Sequence, residues 1–249
     1  MDKKKIIKIS ITTIAVLGLM LLGGSSYMYS HGLSGKYANT EVKDGQIKVA
    51  CVGDSITYGH GIENWEKNNY PAQLQKLLGE DYHVANFGSS GACVNPEGDQ
   101  PYTSRAVYQE SLDYNADIIV VMLGTNDSKP YNWNGKEAFL EAFEKILESY
   151  MQKENPPKLY ICTPATAFYV NGKSDGEAEF DIQPHIVEEI AQLIREFANV
   201  YEGEAGLIDV NLMTKEQPEW FEKDGIHPNS EGAKGIAEYI ATYIAATTK

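Results

Sequence analysis

From Gln46 onward the chain alternates five times between a short apolar run and a longer stretch of helical periodicity, and few folds accept that rhythm. The runs stand at 47–52 (IKVACV), 82–87 (YHVANF), 117–123 (DIIVVML), 158–163 (KLYICT) and 206–210 (GLIDV). Helical periods fill the intervals at 70–79, 104–112, 135–151, 182–199 and 230–246. In the fourth, Ile186, Ile190, Leu193, Ile194 and Phe197 recur at three- and four-residue steps and make one apolar face. In the last, Ser230 is placed to cap, and Ile236, Ile240, Tyr243 and Ile244 form the stripe. Five strand-helix repeats predict an α/β fold with a mostly parallel sheet covered on both faces. A single domain over 46–249 accommodates all of them. In open sheets of this kind ligands lie outside the carboxyl ends of the strands. Chemistry is therefore expected just after residues 52, 87, 123, 163 and 210.

Ahead of this domain lies a segment of another character. Lys3, Lys4, Lys5 and Lys8 precede an apolar run from Ile9 to Leu22, and Gly23, Gly24, Ser25 and Ser26 follow. A basic start, an apolar stretch and small residues after it read as an export signal over residues 1–26. No Lys, Arg, Asp or Glu occurs between Lys8 and Lys36, so an uncleaved membrane anchor is the alternative. Either way the lysines stay on the cytoplasmic side and the domain lies outside, secreted or tethered to the outer face of the membrane. Residues 27–45 mix Gly, Ser and Tyr with charge, lack apolar periodicity, and read as the tether.

Charge and cysteine usage narrow the function. The formal net charge is −14, a surface that repels phosphate backbones, so nucleic acid is not an expected partner. Anionic lipid is repelled equally, which leaves the N-terminal segment as the only expected membrane contact. Three cysteines do not make a disulfide scaffold. Cys51 and Cys162 fall inside apolar strands, where core thiols are expected, and Cys93 stands close enough to Gly91 to line a pocket. The five histidines show none of the spacings that hold metal ions, and no glycine-rich phosphate loop occurs, so neither metal nor cofactor is expected.

The unusual residues stand at the expected strand ends. Gly53-Asp54-Ser55-Ile56-Thr57 follows the first run, Asn86-Phe87-Gly88-Ser89-Ser90-Gly91 closes the second, and Gly124-Thr125-Asn126-Asp127 follows the third. Asp224-Gly225-Ile226-His227-Pro228 comes after the last. Ester hydrolysis through an acyl-enzyme needs a nucleophile, a base, a carboxylate that orients the base, and donors for the oxyanion. Ser55 supplies a hydroxyl at a strand end, and His227 a group that takes and returns a proton near neutrality. Asp224, three residues earlier, is placed to receive the imidazole Nδ1 proton, and Pro228 biases His227 toward an extended backbone. The Ser55 and Gly88 amides and the Asn126 side chain are the expected oxyanion donors. Asp54 and Asp127 are expected to bind backbone and hold their loops.

These four blocks, in this order, resemble the SGNH hydrolases, also called the GDSL esterase/lipase family, over about residues 46–246. Ile56-Thr57 stands where the family name has Leu. The resemblance implies a three-layer α/β/α, flavodoxin-like fold with a five-stranded sheet. It carries the nucleophile onto Ser55, the oxyanion hole onto Ser55, Gly88 and Asn126, and the base and its orienting carboxylate onto His227 and Asp224. The stretch 122–130 (MLGTNDSKP), followed by Asn132-Trp133, is similar to the sialate O-acetylesterase-like, or carbohydrate acetylesterase, branch. Tyr58, His60, Trp65, Tyr102, Arg105, Tyr131 and Trp133 lie near the blocks, and rings beside polar groups suit sugar faces. Of these, Tyr58, Tyr102, Arg105 and Trp133 are the expected substrate contacts. The reading is an exported serine esterase acting on an acetylated glycan or another small ester. The alternatives are a lysophospholipase or thioesterase of the same fold, and a glycan-binding protein without catalysis.

Overall fold

The strand β3 (Ile118–Met122) is buried at all five positions. A strand with no polar alternation has helices on both sides, and β3 stands third in a five-stranded sheet of order β2-β1-β3-β4-β5. The computed structural model describes residues 41–152, 154–170, 179–201 and 205–247. The expected export segment and all of the tether before residue 41 lie outside them. Among the described residues no helix is long and apolar enough to cross a membrane.

The other strands are β1 (Ile47–Gly53), β2 (Tyr82–Gly88), β4 (Lys158–Cys162) and β5 (Ala205–Ile208), and every pairing is parallel. The helices are α1 (Ser55–Tyr58), α2 (Trp65–Asn68), α3 (Tyr70–Leu78), α4 (Ala106–Asp113), α5 (Lys136–Met151), α6 (Pro184–Val200), α7 (Val210–Thr214) and α8 (Ser230–Thr247). All five expected strands and all five expected helices are present, with bounds that differ by one or two residues. The short helices α1, α2 and α7 are additional: too brief to show a period, they are set by caps and loops.

Alternation along the strands builds two cores. Ala50, Val52, Ile119, Val121, Leu159 and Ile161 face one way, onto Val107 of α4, Phe139 and Phe143 of α5, and Ile190 and Ile194 of α6. Val49, Cys51, Val120, Met122 and Cys162 face the other, onto Leu74 of α3 and Ile236 and Ile240 of α8. This is the three-layer α/β/α arrangement. In α5, Phe139, Phe143, Ile146, Leu147 and Tyr150 are buried at helical spacing, so a single face carries its contribution to the core. Pro184 opens α6 at a position whose amide needs no partner, and the Asn69 side chain caps α3 by accepting from the Ala72 amide at 2.8 Å.

Strand order fixes where a site belongs. After β1 the chain moves outward to β2, then crosses back to place β3 on the other side of β1. The carboxyl ends of β1 and β3 flank that switch point, where crossovers diverge and a crevice opens. Ser55 lies two residues past β1 and Asn126 four past β3.

Candidate active site

Ser55 is the first residue of α1, and Asp54 caps that helix by accepting from the Ile56 amide at 2.9 Å. This turn brings the Ser55 Oγ to 2.9 Å from His227 Nε2, across 172 positions of sequence. His227 Nδ1 lies 2.8 Å from Asp224 Oδ2. The other carboxylate oxygen of Asp224 accepts from the amides of Ile226 and His227 at 2.8 and 2.9 Å. Burial pushes the Asp224 carboxyl up, but the His227 ring and these two amides outweigh it and hold the carboxyl at about 2. An ionised Asp224 makes Nδ1 the protonated imidazole nitrogen and leaves Nε2 free to accept from Ser55.

The oxyanion side differs from the sequence expectation. Gly88 is still in the sheet, paired with Gly53, and its amide donates to Asn86 Oδ1 at 2.9 Å. A Cβ there would meet the Tyr58 amide nitrogen at 2.2 Å, so glycine at 88 lets β2 run against α1. Asn86 completes that contact by donating to the Thr57 carbonyl at 2.8 Å. Gly88 therefore holds α1 in place and does not line the cavity. Gly91 does: it lines the cavity beside Ser55 and Asn126, at φ +79°, a backbone suited to glycine. Neither the Gly91 nor the Ser55 amide donates a hydrogen bond among the described residues. Asn126 spends one proton of its amide on the Ala92 carbonyl at 3.1 Å and keeps the other.

Two neighbouring loops are pinned together around these donors. Buried Asp127 accepts from the Val94 and Asn95 amides at 2.9 Å each. Asn132 donates to the Asn126 carbonyl at 2.9 Å and to Asp99 Oδ1 at 2.8 Å, and Asn95 donates to the Asn132 carbonyl at 2.8 Å. Asp54 and Asp127 thus bind backbone, as expected from the sequence. Burial drives both carboxyls up, Asp54 to about 6 and Asp127 to about 7, with the amide donors partly offsetting it.

The cavity in front of Ser55 measures about 210 Å³. The His60 ring packs at 4.6 Å and the Phe180 ring at 5.5 Å from that of His227. Gln100 lies against Gly91, and buried Lys129 places its Nζ 3.4 Å from Asp99 Oδ2. None of the four expected substrate contacts lines this cavity. Tyr102 is wholly buried and its hydroxyl donates to the Phe87 carbonyl at 2.8 Å, which makes it a core residue. Tyr58 stacks on Trp65 with centroids 4.4 Å apart, and Trp133 packs against Phe139 at 6.2 Å. Arg105 is buried and donates to the side-chain oxygen of Gln100, which lines the cavity. Tyr131 is exposed and donates to Asp181. His60 is the one ring of the wider set that lines the cavity.

Sequence reasoning missed Gly91, Gln100, Lys129 and Phe180 as cavity residues. Gly91 and Lys129 lie within the blocks already singled out. Gln100 and Phe180 belong to connecting loops and carry no local signal. Cys93 is buried away from the cavity, and burial raises its thiol to about 12, so no thiolate competes with Ser55. Among the described residues no group of His, Cys, Asp and Glu is arranged to hold a metal ion. A larger groove of about 990 Å³, lined by Tyr160, Tyr239 and Tyr243, has no nucleophile-base pair among its described lining residues.

A sequence model of the GDSL-like lipase/acylhydrolase family matches residues 51–234. An acetylxylan esterase of Xylanibacter ruminicola is 34% identical over 219 residues, which cover 81% of this chain and 44% of that protein. The chain thus spans less than half the length of that relative. An arylesterase of Vibrio mimicus is 26% identical over 209 residues, covering 78% of this chain and 86% of the other. Among solved structures, the carbohydrate acetylesterase Est24 of Sinorhizobium meliloti superposes with a TM-score of 0.65 at 18% identity, over 81% of this chain and 99% of that one. At that identity the likeness is one of fold.

Proposed function

The chain belongs to the GDSL-like lipase/acylhydrolase, or SGNH hydrolase, family, and on that premise we propose that it is a serine esterase that removes small acyl groups, O-acetyl above all, from carbohydrate. The observation that carries this reading is the relay from Ser55 Oγ through His227 to Asp224, at 2.9 and 2.8 Å. His227 Nε2 takes the Ser55 proton as Oγ attacks the ester carbonyl. The amides of Ser55 and Gly91 and the free proton of Asn126 Nδ2 receive the oxyanion. Collapse breaks the bond to the alcohol oxygen, and His227 returns the proton to that oxygen. Water then attacks the acyl-Ser55 ester, with His227 again as base, and releases the carboxylic acid and free Ser55.

The acyl preference is read from volume. A cavity of about 210 Å³ lies below the 300–1,000 Å³ or so of pockets that take drug-sized ligands, and a long acyl chain needs a channel. The acetylated-carbohydrate part draws on what the Xylanibacter ruminicola relative is named for. Export, as a secreted or membrane-tethered protein, is part of the same proposal and rests on residues 1–26.

Hydrolysis of p-nitrophenyl acetate, butyrate and octanoate by the wild-type chain and Ser55→Ala tests the reading. Acetate is expected to be the best substrate and Ser55→Ala to be inactive on all three. A preference for octanoate would replace the acetylesterase reading with a lysophospholipase or thioesterase, since each buried methylene contributes ~0.8 kcal/mol where a channel exists. Equal activity of the variant would remove Ser55 from the chemistry.

A further inference from the structure

Phe180 is an apolar ring left 56% exposed at the edge of the cavity, while Ile182, two positions on, is 2% exposed. Its ring stands perpendicular to His227, at 85°, and to His60, at 89°, with centroids 5.5 and 6.3 Å away. The backbone beneath it is unusual. Phe180 and Asp181 occupy the left-handed region in succession, at φ 55° and 59°, a conformation that costs free energy in residues other than glycine. Local ties hold it. The Ile182 amide donates to the Glu179 carbonyl at 3.1 Å, and the Tyr131 hydroxyl donates to Asp181 Oδ2 at 3.3 Å. Gln183 donates through its amide to Ser128 Oγ at 3.2 Å and through its side chain to the Ser128 carbonyl at 2.7 Å. The segment under Phe180 is thereby fastened to the turn that carries Asn126. A strained backbone tied down through Asp181, Ile182 and Gln183 and presenting an open aromatic ring at a reactive centre points to a ligand that meets that ring.

The chemistry says which part of the ligand. His227 Nε2 returns its proton to the departing alcohol, so the alcohol lies near that ring, whose aromatic neighbours at the cavity are Phe180 and His60. Resting on the esterase reading above, we infer that Phe180 is a specificity residue for the alcohol half of the ester, packing against the C–H face of a pyranose leaving group. Such a face is apolar with weakly positive hydrogens, the complement of the negative face of an aromatic ring. A small alkyl alcohol offers no such face. Burial depresses the basicity of His60, with neighbouring His227 acting in the same direction, which favours a neutral ring beside the bound sugar.

The test compares kcat/KM for an O-acetylated methyl pyranoside with that for ethyl acetate in the wild-type chain, Phe180→Ala and Phe180→Tyr. The ratio of the two is the readout. It is expected to fall about tenfold in Phe180→Ala, through KM for the pyranoside, and to be retained in Phe180→Tyr. A ratio unchanged in Phe180→Ala, or lost to the same extent in Phe180→Tyr, overturns the inference. So does a wild-type protein that hydrolyses ethyl acetate but not the pyranoside, an outcome that leaves the esterase reading standing. A wild-type protein inactive on both substrates removes the esterase reading and the inference together.

Discussion

The side-chain amide of Asn126 has two protons to give, and only one is committed, to the Ala92 carbonyl at 3.1 Å. That bond aims the group, and in the proposed mechanism the second proton meets a charge that exists only after Ser55 has attacked. Asn126→Ala is therefore expected to lower kcat by roughly 10²–10³-fold and to leave KM nearly alone, as steady-state kinetics would show. A rise in KM at unchanged kcat would instead make Asn126 a ground-state substrate contact. The placement of such residues was legible in the sequence because each carries its own local reason. Asp224 reaches His227 over three positions, and Ser55 lies two residues past a strand. The choice between Gly88 and Gly91 was not legible, since both stand in the one six-residue stretch that closes a strand-like run. Only the register of β2 on β1, which pairs Gly88 with Gly53, shows that the first of them is still in the sheet.

At the scale of elements, periodic segments were the legible ones. The stripe Phe139, Phe143, Ile146, Leu147 and Tyr150 marks α5 without help from the rest of the chain, and the unbroken apolar run of β3 marks a strand buried on both faces. Loops are decided by partners far away in sequence. The segment after β2 takes its course from Asp127, which binds the Val94 and Asn95 amides across more than thirty positions, and from Asn132, which binds the Asp99 amide at 2.8 Å. That course turns Tyr102 inward, where its hydroxyl finds the Phe87 carbonyl, and brings Gln100 to the cavity instead. Proximity in sequence to a catalytic block therefore said little about which aromatic ring meets a substrate. Phe180 lies more than forty residues from every block, and only the folded chain places it against His227.

For the whole molecule, pH acts on stability and on catalysis in opposite directions. The chain carries a formal charge of −14 and a sequence pI near 4.8, so acidification from about pH 8 relieves self-repulsion. Asp54 and Asp127, raised by burial to about 6 and about 7, add to this. A carboxyl whose folded value exceeds its unfolded one binds protons more tightly in the folded state, so its contribution falls as pH rises through that interval. Melting temperature is expected to increase between about pH 8 and about pH 6. Hydrolysis is expected to fall on acidification, because an imidazolium cannot accept the Ser55 proton. Asp224, held at about 2, stays ionised throughout that interval and keeps its bond to the His227 ring. A rate constant from about pH 8 down to about pH 4, in protein that remains folded, would exclude His227 as the base.

Activation of Ser55 as a nucleophile by His227 and Asp224 can be tested by covalent capture. A fluorophosphonate esterifies a serine only where its hydroxyl is deprotonated as it attacks, and the resulting adduct is located by peptide mass spectrometry. The full chain is expected to take one adduct, on Ser55, and Ser55→Ala and His227→Ala are expected to take none. An adduct on another residue, or ester hydrolysis that persists in protein left unlabelled at Ser55, would remove Ser55 as the nucleophile.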